Sequence, residues 1–152
     1  MRLAEALQER ADLNRKLEQL RERMMNNALV QEGEEPSEDP SALLKEYRAA
    51  CDRLSYLMAA INLTNAAVKA EGMTLTEIIA KKDVLVKEIA AYRDLVNRAS
   101  ARADRYARSE IRILSAVDVA GLQKKADSLS KELRALDAAL QACNWSTELI
   151  EH

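Results

Sequence analysis

The sequence predicts a mainly α protein: an elongated antiparallel four-helix bundle with coiled-coil-like seams and a small β-ribbon or extended cap at one end. Three observations predict it. Apolar residues recur at alternating three- and four-residue steps through four long stretches, the pattern of a helix face buried against other helices. The 152 residues include only 3 Gly and 2 Pro, so long stretches carry no breaker. Charged residues make up 32% of the chain, while Phe is absent and Trp occurs once, which fits Leu/Ala seams between solvated helix faces. A chain of this length suits a single domain with a core of its own.

The first helix is expected over about 2–26, with Leu3, Ala6, Arg10, Leu13, Leu17, Leu20 and Met24 on its seam. The connection over 27–40 holds Glu32, Glu34, Glu35, Glu38 and Asp39, both prolines and no basic residue. Ser41, after Pro40, opens a second helix over 41–69, with Tyr47, Cys51, Leu54, Met58, Ile61, Asn65 and Val68 as its seam. Gly72 then marks a turn, and Thr74 with Glu77 three residues on forms a capping box for a third helix over 75–108. Its seam runs Leu75, Ile78, Lys82, Leu85, Ile89, Tyr92, Val96, Ala99 and Ala103.

Residues 109–118 depart from this rhythm. Ile111, Ile113, Val117 and Val119 alternate at period two, a strand pattern. A lone strand needs a partner for its backbone groups. The other short β-like piece is Ala28–Gln31, so the two are expected to pair as a ribbon, within a chain or between subunits. Asp118 caps a fourth helix over 119–143, with Leu122, Ala126, Leu129, Leu133, Leu136, Leu140 and Cys143 on its seam.

Three seams carry a polar guest: Arg10, Asn65 and Lys82. A lone polar residue in an apolar seam fixes register, and long basic side chains snorkel outward. Cys51 and Cys143 fall on seams and read as small buried hydrophobes. The bundle places them about 20 Å apart along its axis at ~1.5 Å per residue, too far for a disulfide. Asn62, Asn65, Thr74, Asn144, Trp145 and Thr147 are expected together at the end away from the acidic loop, with Trp145 plugging the core.

Composition excludes several function classes. A net charge of -2 argues against general nucleic-acid binding, which needs a basic footprint. No apolar run reaches membrane-spanning length, and the start of the chain is charged from Arg2, so the expected compartment is the cytoplasm. The one histidine is His152, which removes Ser-His and Cys-His nucleophile pairs and histidine metal sites. The Glu-x-x-His pattern of di-metal bundles is missing, and the acidic loop lacks the spacing of an EF-hand. No enzyme activity, metal or cofactor is expected.

What remains is charge placement. Arg98, Arg102, Arg105, Arg108 and Arg112 fall within an arc of about 120° if the third helix persists. Bundle topology brings this stripe to the same end as the acidic loop, where arginine forks suit carboxylates. The two are read as a latch within or between subunits. As an alternative, the stripe with Tyr106 could bind an anionic ligand such as a nucleotide phosphate, although no glycine-rich phosphate loop accompanies it.

The segments "NNALVQEGEEPSEDP", "RADRYARSEIRILSAVDVAGLQKK" and "NWSTELIE", in this order, resemble the septicolysin-like family of small bacterial helical proteins, over the whole chain. The resemblance implies a helical fold and, through the family's name, a membrane-active cytolysin; it carries over no catalytic residues. The residues themselves point to a non-enzymatic binding or scaffolding protein that forms a homo-oligomer.

Overall fold

The computed structural model describes residues 1–101 and 111–151. The fold is mainly helical, with four helices and a small two-stranded antiparallel sheet. The helices are α1 (Leu3–Asn26), α2 (Pro40–Ala67), α3 (Leu75–Ser100) and α4 (Val119–Ser146), and the strands are β1 (Lys69–Ala70) and β2 (Met73–Thr74).

The starts of α3 and α4 follow the expected chemistry, and α2 begins one residue early on a cap not expected from the sequence. Asp39 caps α2 by accepting from the Ser41 amide at 3.0 Å, with Pro40 in the first turn where its missing N–H costs nothing. At α3 the capping box is complete: the Glu77 amide donates to Thr74 Oγ1 at 3.1 Å, and the Thr74 amide donates to Glu77 Oε2 at 2.6 Å. Asp118 accepts from the Gly121 amide at 3.1 Å in the first turn of α4. The third helix closes at Ser100, where Ala101 turns extended. Residues 102–108 of the expected helix lie outside the described residues.

The sheet forms elsewhere than expected. It is a hairpin between α2 and α3, turning through Glu71 (φ 51) and Gly72 (φ 77). Two consecutive positive φ angles match the right-handed twist of paired strands, which is why two-residue hairpins use them. Ala28–Gln31 and the described part of 109–118 contain no strand. The alternation of Ile111, Ile113 and Val117 therefore forms no ladder among the described residues.

The chain divides into two compact units. The first comprises Met1–Lys69 and Gln141–His152. Within it α1 and α2 run antiparallel, as three ion pairs show: Glu9 with Arg53, Lys16 with Glu46 and Arg23 with Glu38. Leu3, Ala6, Leu20, Leu43, Ala50, Leu57, Ala60 and Ile61 are buried, joined by Leu149 of the tail. The tail pairs with the start of the chain, Leu3 N–H donating to Thr147 O at 2.9 Å and Leu149 N–H to Met1 O at 2.8 Å.

The second unit comprises Ala70–Leu140. Leu75, Ile78, Leu85, Ile89 and Val96 of α3 are buried, as are Ala126, Leu129, Leu136 and Leu140 of α4. These are seam positions named from the sequence. Lys82, the polar guest of α3, is half-buried and reaches Asp137, while Lys81 pairs with Glu132 at 2.9 Å. The guest thus snorkels to a carboxylate.

Three seam readings need correction. In α2 the buried face runs through Ala50, Leu57, Ile61 and Thr64, whereas Met58 is 47% exposed and Asn65 half-buried. The true face is rotated by less than one residue step from the expected one. Leu54–Val68 contains no charge, so its polarity does not mark an outer side. Cys51 and Cys143 are half-buried free thiols, not core residues. Trp145 is 66% exposed rather than a plug; Asn144, four residues after Leu140, takes the buried position.

Candidate interaction surface

The acidic loop divides into partnered and solvated carboxylates. Arg23 of α1 donates to Glu38 from Nε at 3.0 Å and from Nη2, a bidentate fork. The Glu38 amide also donates to Asn27 Oδ1 at 3.1 Å, tying the end of α1 to the approach to α2. The fork holds the Glu38 carboxyl below the usual carboxylate range. Asp39 serves as the α2 cap. Glu32, Glu34 and Glu35 are exposed around Gly33, whose φ of 86 makes the bend. Arg23 was not among the residues the sequence singled out; its position one turn from the end of α1, beside an acidic loop, was the available signal.

Of the arginine stripe, Arg98 lies in the last turn of α3 and Arg112 in the extended segment, and both are exposed or at the unit's surface. Arg98 lines a shallow groove with Leu95, Ala99, Ile113 and Leu114. Arg102, Arg105, Tyr106 and Arg108 lie outside the described residues. Among the described residues, Arg98 lies beside the segment that carries Arg112.

A second polar centre sits between α1 and α2. Arg53 donates to Glu9 through Nε at 2.7 Å and Nη2 at 2.9 Å, and its guanidinium lies 5.6 Å from the centre of the Tyr56 ring. This hydrogen bonding is the main reason the Glu9 carboxyl titrates below its ordinary range; burial opposes it and the Arg53 charge adds to it. Burial, aided by Glu151, pushes the Tyr56 hydroxyl up. Close by, the Thr64 hydroxyl is fully buried, donating to Ala60 O and accepting from the Ile150 amide, each at 2.8 Å. The Arg53 guanidinium, the Glu9 carboxylate and the Thr64 hydroxyl thus each have partners within the chain.

Among the described residues, no three His, Cys, Asp or Glu side chains gather in a way that could hold a metal ion. No described helix is long and apolar enough to cross a membrane. What the surface does present is apolar side chains on helix exteriors. In the first unit α2 exposes Leu44, Met58 and Leu63, and Trp145 stands beside Met1 and Ala4. In the second, α3 exposes Val84, Val86 and Leu95, and Val86 borders a groove with Ile89, Ala90, Arg93 and Leu133. Singly exposed apolar residues are ordinary on any protein, and Val84 and Val86, two residues apart, lie on different sides of α3.

Comparison with known proteins gives the same architecture and no activity. The model of a family described as "Family of unknown function (DUF6847)" matches residues 10–149. The chain is similar to a protein from Corynebacterium diphtheriae whose crystal structure is described as that of a functionally unknown conserved protein. The two share 40% sequence identity over 99% of each chain, with a TM-score of 0.89. No curated protein matches.

Proposed function

We propose that this chain, which belongs to the family of unknown function DUF6847, is a non-enzymatic helical binding or scaffolding protein that assembles with copies of itself. The observation that carries this reading is the set of apolar side chains exposed on helix exteriors, above all Leu44, Met58 and Leu63 on α2. In a monomer these side chains stay in water, and covering them in a complex is favourable by about 25 cal/mol per Å² removed from solvent. The polar centres support the same reading, because the ion pairs and the Thr64 hydroxyl spend their hydrogen-bonding capacity within the chain.

The alternatives fare differently. Anion binding through the arginine stripe rests on six residues, of which only Arg98 and Arg112 are described. The lytic activity implied by the septicolysin-like resemblance would have to use amphipathic helices, since no described helix qualifies as a span. The experiment that tests self-association is the absolute mass in solution by light scattering after size-exclusion chromatography. A particle heavier than the 17.0 kDa chain is expected.

A further inference from the structure

We infer that segment 147–151, which follows α4, is an exchangeable strap: it opens while the helices stay folded, and its slot on the first unit takes the same segment of a second copy. This rests on the self-association proposed above and names the contact that produces it.

The slot holds its occupant first by the backbone. Arg2 and Glu148 form an antiparallel bridge. Leu3 N–H donates to Thr147 O at 2.9 Å, and Leu149 N–H donates to Met1 O at 2.8 Å. Ile150 N–H donates to the buried Thr64 hydroxyl at 2.8 Å. The side chains alternate as on a strand: Thr147 is half-buried and Leu149 buried, while Glu148 and Ile150 are exposed. The Glu148 carboxylate lies 3.0 Å from the Arg2 guanidinium. A strand-like segment laid on an open backbone edge, with a pocket for alternate side chains, is a general mode of peptide recognition. The sequence that fits is on view, because Thr147, Glu148, Leu149 and Ile150 are seated there.

Little holds the strap down. One buried apolar anchor, Leu149, and the amide bonds of Leu3, Leu149 and Ile150 fix the segment, and ordering it carries an entropy cost of comparable size. Segments held this lightly open on their own, well below the free energy of global unfolding. A second copy carries the same segment, so exchange remakes every contact of the closed form, which makes swapping a low-cost route to a dimer. The pivot is the end of α4 at Ser146. Just before it, Trp145 is 66% exposed and stands beside Met1 and Ala4. The strap reaches at most about 17 Å at ~3.3 Å per residue, so exchange sets the two pivots side by side. The indole that the closed chain leaves in water is then covered by the second copy, as large aromatic side chains at contacts are.

Hydrogen exchange on the wild-type chain tests the opening. The amides of Leu149 and Ile150 are expected to exchange at least about a hundredfold faster than those of Leu57 and Ile61, at rates that low urea does not change. Equal protection means that the strap opens only when the helices unfold, and overturns the proposal. Cross-linking tests the exchange. In a chain carrying Cys51→Ala and Cys143→Ala, with folding verified by circular dichroism, one preparation carries Arg2→Cys and another Glu148→Cys. The two positions face each other in the bridge, within reach of a disulfide. A chain with both substitutions is expected to close its own disulfide, which calibrates the geometry. The two preparations, mixed and oxidised, are expected to give a covalent dimer joining the two substituted positions. Trp145 is the only tryptophan, so its emission should move to the blue as wild-type concentration rises. If wild type is heavier than one chain by light scattering and no mixed dimer forms, self-association stands and the strap is not its contact. If wild type is a single chain and no mixed dimer forms, the strap and the reading beneath it both fall.

Discussion

Thr64 fastens the tail of the chain to α2 through a single hydroxyl. Its Oγ1 accepts from the Ile150 amide while donating to Ala60 O, so both groups are paired in a fully buried place. Thr64→Val keeps the shape and removes the acceptor. The Ile150 N–H is then left without its partner, and chemical denaturation should show a loss of about 1–2 kcal/mol, which Thr64→Ser largely recovers. Glu9 governs a pH response instead. Its folded-state pKa is depressed, so its contribution is fully present above the ordinary carboxyl pKa of about 4.3 and is lost as pH falls through the lowered value. Melting curves of wild type and Glu9→Gln should differ at about pH 7 and converge in acid. The difference will be small, because both side chains remain partly exposed. At this scale the sequence was legible where chemistry is local: Thr74 with Glu77 and Asp118 could be named as caps from spacing alone. Thr64 was not, because its partner Ile150 lies 86 residues away. Trp145 and Asn144 could have been assigned correctly, since four residues after Leu140 on a helix comes Asn144.

The hairpin of β1 and β2 is the element most constrained by backbone geometry. Glu71 has φ 51, a conformation that disfavours a residue with a Cβ, and Gly72 follows with φ 77. Nothing lies within 4 Å of where a Gly72 side chain would begin, so Gly72→Ala isolates the conformational cost, expected at about 1 kcal/mol. Glu71→Asn should act in the opposite direction and raise the melting temperature, because Asn tolerates this region. Thermal unfolding of the two variants checks both signs. The helices were legible in existence and nearly in extent because four periodic runs are separated by turn residues. The sheet was misplaced because alternation in 109–118 signals an extended chain but not a partner, whereas a two-residue strand is too short to show any alternation. The phase of α2 was misread for a more instructive reason. Where a helix is apolar all round, periodicity cannot tell the face buried in the chain from a face left for something else.

For the molecule as a whole, that ambiguity is the main clue to function. A chain that balances charge along most of its length leaves one exposed helical face uncharged. Of the candidate site read from the sequence, the acidic loop is partly structural: Glu38 pairs with Arg23 and Asp39 caps α2. Those roles were hidden because spacing along a loop does not reveal which helix end it returns to. The measurement that tests the central claim most directly is the absolute mass of the wild-type protein in solution, at low and at high salt. The account predicts an oligomer at both, because an apolar contact is not weakened by screening. A mass equal to the single 17.0 kDa chain at both salts, even at the highest concentration reached, would contradict it.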